Sequence, residues 1–164
     1  MKTVISTYKI NTHTQALLPA KSINYQTTVI EEKKILYVRQ TPLEIIRQGC
    51  VDAWSDYDSR RNAVMQHTNF IQRLPIPVHI RKAFYFFPTH SPQHSDNCWI
   101  AFEHILKIDK ALKDLAGNQA QSVIYFKNNQ LLFLDVSLHT LDKQIQRTFE
   151  CKYLIEGAEA LRWG

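Results

Sequence analysis

FYFFPTHSPQHSDNCWIAF, residues 84–102, is the stretch whose reading decides the fold. Two aromatic runs flank a segment that carries His90, His94 and Cys98, each four residues from the last. On a helix that spacing would set three metal-ligating side chains along one face. In a hairpin it is a polar loop between two buried strands. Pro92 stands two residues after His90, and Ser, Asp and Asn fill the remaining gaps, a composition that opposes a helix. Three ligands also require a fourth, or an open catalytic position, and no acid is placed to serve with them. His104 is the one further ligand in reach, across the hairpin. The residues favour a polar loop, with "KAFYFFP" and "CWIAFEHILKI" as strands on either side and no metal site.

Working outward, "RLPIPVHI" (73–80) holds two prolines and reads as extended. Before it, "TPLEIIRQGCVDAW" (41–54) changes period. Thr41 is a helix cap, Pro42 suits the first helical position and Glu44 has the capping-box spacing. Leu43, Ile46, Cys50 and Trp54 recur at three or four and predict the buried stripe. Gly49 weakens the helix locally. "SDYDSRRNAVMQ" predicts a second helix capped by Ser55 or Asp56. Nearer the N-terminus, "TVISTYKI" (3–10) and "QALLPA" read as short strands. "TTVIEEKKILYVRQ" reads as two more, with the charged "EEKK" as a turn. "QSVIYFKNNQLLFLDVSL" predicts a hairpin about Asn128 and Asn129. The final stretch is helical by period, with Thr140 as cap, a buried stripe of Leu141, Ile145, Thr148/Phe149 and Tyr153, and a bend or end at Gly157. The expected fold is α+β: a single domain over residues 1–164, mostly antiparallel sheet, with a helical insert near residues 42–66 and a C-terminal helix.

Bulk composition narrows the function. Forty-five per cent of the 164 residues are hydrophobic and 18 are aromatic, which supplies a real core and argues against disorder. The three cysteines, about fifty residues apart with no CxxC pair, suit reduced thiols rather than a disulfide framework. No apolar h-region and no apolar run near 18 residues is present, so the expectation is a cytoplasmic protein with no membrane partner. No GxSxG, GxxxxGK[ST], GxGxxG or HExxH motif occurs, so no nucleophile elbow, phosphate cradle or zinc-protease helix is predicted. The expectation is a protein without catalytic residues and without a cofactor.

Charge points to a different chemistry. The formal net charge is +5. Residues 1–50 carry 7 Lys/Arg against 3 Asp/Glu, whereas residues 101–164 carry 8 of each. Arg60-Arg61 and Arg81-Lys82 form pairs, Arg73 lies between them, and Lys33-Lys34 falls in a turn; Arg39 and Arg47 are scattered. Clustered cations neutralise phosphates and release counterions, the main sequence-independent contribution to nucleic-acid affinity. Arginine also suits a narrow, AT-rich minor groove.

The order of the pieces resembles a known family. "ALLP" precedes paired strands, "PLEIIRQGC" leads through "YDSRR" into "FYFFPT", then "CWI", "VIYFKNNQLLFLDVS" and a helix with "QIQRT". This run, from about Tyr8 to Thr148, is similar to the ComK-type bacterial competence transcription factors. The resemblance implies a cytoplasmic transcriptional activator of DNA-uptake genes that binds AT-rich promoter boxes in double-stranded DNA as a homo-oligomer, with RNA polymerase as a further candidate partner. From the basic clusters the DNA contacts are expected at Arg60 and Arg61 first, with Arg73, Arg81 and Lys82 behind them. Cys50 and Cys98 fall at positions where a small buried thiol suffices. Family members carry glycines around the basic pair, in a pattern like FGSSYxGRKxGT. This chain has "AWSDYDSRRNAVMQHT", with Asp56 and Asp58 beside the arginines. The acids motivate an alternative: a ComK-like protein-interaction module that heteromerises with or titrates a regulator without tight DNA binding. The longer family tail, which contacts a proteolytic adaptor, has no counterpart after Trp163, so that partner is not carried over.

Overall fold

The computed structural model describes residues 2–112 and 119–163. A seven-stranded sheet uses β1 (Val4–Ile5), β2 (Thr14–Pro19), β3 (Thr27–Glu31), β4 (Ile35–Val38), β5 (Ile76–His79), β6 (Phe84–Pro88) and β7 (Trp99–Ala101), in the order β1-β4-β3-β2-β7-β6-β5. Among the described residues only the β1–β4 pairing is parallel. A second, antiparallel sheet runs β10-β9-β8, from β8 (Ile105–Lys110), β9 (Ser122–Phe126) and β10 (Leu131–Leu134). Helices α1 (Pro42–Asp52) and α2 (Tyr57–His67) form the insert, and α3 (Leu138–Trp163) closes the fold. The α+β architecture with a helical insert and C-terminal helix is the one expected from the sequence.

The large sheet is covered on both faces. Leu17, Val29, Phe86 and Trp99 belong to one core, which they share with Ile45, Ile46 and Cys50 of α1. Their neighbours Ala16, Phe87 and Ile100 belong to a second core, with Ile124, Phe126 and Leu134 of the small sheet and Leu141 of α3. Successive strand residues face opposite sides, so the aromatic run of β6 needs an apolar partner above and below. A third, smaller cluster joins Val64 of α2 to Cys151 of α3 through Leu74.

The chain changes sheet between β7 and β8. Phe102–His104 form a single 3-10 turn, so "CWIAFEHILKI" is two short strands in different sheets and not one long strand. The turn sits where the fully buried Trp99–Ala101 gives way to half-exposed residues. The predicted strand over residues 3–10 shrinks to Val4–Ile5. Tyr8 instead enters a polar network: its hydroxyl donates to the Glu31 carboxylate and meets Thr14 Oγ1 at 2.6 Å, while Asn11 Nδ2 donates to the same carboxylate at 3.2 Å. That network ties the segment to β3 without a ladder.

The helix caps follow the sequence in part. Thr41 Oγ1 accepts from Glu44 N at 3.1 Å and Asp56 Oδ1 from Ser59 N at 2.8 Å, as the capping pattern requires. Asn129 lies at φ 72 in the predicted β9–β10 hairpin. The cap of α3 is Ser137, whose Oγ accepts from Thr140 N at 3.1 Å, not Thr140. Gly157 neither ends nor interrupts α3. The predicted stripes need correction too. Trp54 lies beyond α1 and is 97% exposed. On α3 the buried row is Leu141, Gln144, Thr148 and Cys151, while Phe149 and Tyr153 are 62% and 69% exposed. The reason is polar: the Gln144 amide donates to the carbonyls of Arg73 (2.9 Å) and Pro88 (2.7 Å), the second bond being buried.

Gly49 has a structural purpose that outweighs its helix propensity. A Cβ there would stand 2.8 Å from Val78 Cγ1 and 2.9 Å from Ile10 Cδ1. The missing side chain lets α1 lie close against β5. Gly49→Ala is therefore expected to destabilise by ~1–3 kcal/mol through overpacking, seen as a lower midpoint in urea unfolding, despite alanine's better helix propensity.

Glu103 gives a second expectation. Both carboxylate oxygens are buried without a hydrogen bond, and Lys152 Nζ stands 3.7 Å away. Burial pushes the carboxyl up to about 7, with Lys152 pulling against it. A raised folded-state value favours the protonated form. This contribution to stability is full at pH below about 4.5 and is lost as pH rises through about 7. Glu103→Gln is expected to be the more stable protein at pH 8 by ~1–3 kcal/mol, with the gap closing by pH 4–5, in denaturation series run across that range.

Candidate nucleic-acid interface

The two helices of the insert set the cations. The four-residue turn between α1 and α2 folds α2 back beside α1, and Tyr57 at the start of α2 is buried against Trp99, edge to face at 6.4 Å. The guanidinium of Arg47, on α1, lies over the Tyr57 ring at 4.7 Å. Burial raises the Tyr57 hydroxyl above its ordinary value, and the charges of Arg61 and Arg47 oppose the shift. Arg47 also reaches Asp58, with Nη1 3.8 Å from a carboxylate oxygen.

Arg73 completes the set from a different part of the chain. It sits just before β5 at φ 51, a left-handed backbone rare for a residue with a side chain. Helix α3 holds it there. Gln144 Nε2 donates to the Arg73 carbonyl, Arg147 Nη1 donates to the Gln72 carbonyl at 2.9 Å, and the Arg147 guanidinium covers the Phe70 ring at 4.7 Å. The "QIQRT" stretch is thus a clamp on the segment that presents Arg73.

Arg47, Arg61 and Arg73 line one open groove of about 540 Å³. Asp58 is the single acid among the described lining residues. Ser91, Pro92 and Gln93, from the polar loop between β6 and β7, also line the groove. That loop is closed by hydrogen bonds. Thr89 N donates to Cys98 O, Cys98 N to Thr89 Oγ1 and His90 N to Asn97 Oδ1, each at 2.9 Å. His90 and His94 stack at 5.1 Å between ring centroids. Cys98 is buried, with Sγ 3.7 Å from the Asp96 carbonyl, and His104 bonds the Thr12 carbonyl at 2.8 Å instead. Among the described residues no group of three His, Cys, Asp or Glu is placed to hold a metal ion, and no helix is long and apolar enough to cross a membrane.

The five cations singled out in the sequence do not form one patch. Arg61 and Arg73 meet in the groove. Arg60 lies on another side of α2, half-buried, with Nε buried and unpartnered. Arg81 and Lys82, exposed in the β5–β6 turn, share its surroundings. Burial lowers the His79 pKa, and the charges of Lys82, Arg60 and Arg81 lower it further. Arg47 joins the groove although nothing in its sequence neighbourhood marks it. Its partners lie 10 to 26 residues away, and only the packing of α1 on α2 and of α3 on the Arg73 segment brings them together.

The thiols offer a check on the packing around this site. Burial raises Cys50 to about 11, Cys98 to about 12 and Cys151 to about 11. The folded protein is expected to give less than one equivalent of rapid reaction with a disulfide reagent at pH 8, and three after denaturation. A fast native equivalent would mean that one of the three cores is open.

No curated protein and no solved structure gives a match to this chain. A protein-family model does: the one described as ComK protein matches residues 5–159, nearly the whole chain, and the chain belongs to the ComK family.

Proposed function

We propose that the protein is a DNA-binding transcriptional activator of competence genes, and that it contacts AT-rich double-stranded DNA through the arginine groove. The observation that carries this reading is the convergence of Arg47, Arg61 and Arg73 on one open surface with a single acid among the described lining residues. Guanidinium groups donate bidentate hydrogen bonds to phosphate and enter narrow minor grooves. Family membership supports the transcriptional role and a non-enzymatic one. The second cluster, Arg60, Arg81 and Lys82, would extend the track along the phosphate backbone. Short AT-rich boxes give a small reader little specificity alone, so the proposal includes a homo-oligomer that repeats a half-site. RNA polymerase is a candidate contact of the assembled activator.

The alternative, an interaction module that binds a regulator without tight DNA binding, draws on the acids Asp52, Asp56 and Asp58 on the surface beside the arginines. The two differ in salt dependence. In fluorescence anisotropy, a duplex with A-tract and T-tract boxes is expected to bind more tightly than a GC-rich one, with affinity falling steeply with salt. Arg61→Ala and Arg73→Ala are each expected to lower the salt slope by about one and to weaken binding on both duplexes. Arg60→Ala with Arg61→Ala should lower it by about two. Weak binding, equal on the two duplexes and insensitive to these changes, would favour the interaction module.

A further inference from the structure

Trp54 is a large side chain that the fold does not use. It is 97% exposed and its backbone lies at φ 63. Trp54 N donates to Val51 O and Ser55 N to Cys50 O, each at 3.0 Å. These are the two bonds of the helix-ending motif whose left-handed residue is ordinarily glycine, because a Cβ is crowded there. A glycine would end α1 with less strain and no exposed indole. Asp52 and Asp56, both exposed, stand two residues to either side of Trp54, whereas Asp58 belongs to the arginine groove. The result is an apolar knob with an acidic collar. The collar opposes insertion into a phosphate-lined groove and suits a basic protein surface.

The same chain carries a hollow of matching chemistry. A pocket of about 290 Å³ opens between α2, β5 and the outer half of α3. Val64, Pro77, Ile80 and Leu154 give it apolar walls. Arg60 and His67 also line it, with Glu159 the one acid among the described lining residues. The Nε of Arg60 is buried and unpartnered. Arg81, next in sequence to Ile80, adds charge outside it.

We propose that Trp54 of one copy fills this pocket of a second copy, with the aspartate collar set against Arg60 and its basic surroundings. The proposal gives an interface to the homo-oligomer of the preceding section and rests on that part of the reading alone. Trp54 precedes α2, and the pocket runs along α2 from Arg60 to Thr68; two copies with antiparallel α2 helices would exchange tryptophans about a two-fold axis, which closes the assembly at a dimer. Each indole buries ~150–250 Å², less than a stable interface needs on its own, so the dimer is expected to be weak and concentration-dependent.

Sedimentation velocity from low to high micromolar concentration, without DNA, tests the pairing. Trp54→Gly removes the knob at a position glycine prefers, so its melting temperature should not fall. Ala158→Phe obstructs the pocket from an exposed site on α3. The unaltered protein is expected to dimerise, each variant to associate at least tenfold more weakly, and an equimolar mixture of the two variants to regain association through its one intact knob-and-pocket pair. A protein monomeric throughout the range would overturn the proposal. So would self-association untouched by both variants, or a mixture no better than its components. If Trp54→Gly instead weakens binding to a duplex with a single AT box and leaves self-association intact, the residue belongs to the DNA interface and the proposal fails. A loss of DNA binding by the groove arginines leaves this result unaffected, so the two readings fail separately.

Discussion

Phe86 and Phe87 stand side by side on β6, one in each of the two main cores. A strand with large apolar groups on both faces must be covered above and below, and the rest of the architecture answers that requirement. On one side α1 closes over Leu17, Phe86 and Trp99. On the other, the small sheet and the start of α3 close over Phe87 and Ile100. The 3-10 turn after β7 allows this, because it takes the chain out of the large sheet and starts a second one. Burying these aromatics supplies the main favourable free energy, at roughly 25 cal/mol per Å² of apolar surface.

The cation-lined groove is a consequence of how the two coverings meet. Helix α2 belongs to one side and α3 to the other, and they come into contact through Val64, Leu74 and Cys151. At that junction α3 presents polar groups inward. Gln144 and Arg147 bind the carbonyls of Arg73 and Gln72, which holds the Arg73 backbone in a conformation it would rarely adopt alone. The groove therefore depends on a helix that contributes none of its three arginines. Charge at this surface is arranged by uncharged carbonyls and by two side chains about seventy residues further along the chain.

The insert shows the same separation between local and long-range causes. Thr41 and Asp56 cap their helices by hydrogen bonds to residues three positions on, and both caps are legible in the chain because the partners are neighbours. The place of Trp54 is not. By spacing it continues the row of Leu43, Ile46 and Cys50, yet α1 ends before it and turns it outward. Phe149 and Tyr153 mislead in the same way on α3. Apolar periodicity states which residues share a face, but the face that is buried depends on what the opposing surface needs, and α3 meets backbone carbonyls.

By itself the sequence determined the local and compositional facts: an α+β chain, the helical insert, the Asn128–Asn129 hairpin, a polar loop between aromatic strands, a basic first half and a family order of motifs. These rest on near neighbours, capping chemistry and residue period, which act within a few positions. Tertiary structure alone decided that the strands divide into two sheets and which surroundings Arg60 and Arg61, already turned apart by the helical period, each meet. It alone brought Arg47 and Arg73 to Arg61 and left Trp54 in solvent. The physical reason is that charges 12 to 26 residues apart have no local interaction that records their meeting. They converge because buried aromatic surface and backbone carbonyls that bond Gln144 and Arg147 fix where the helices pack.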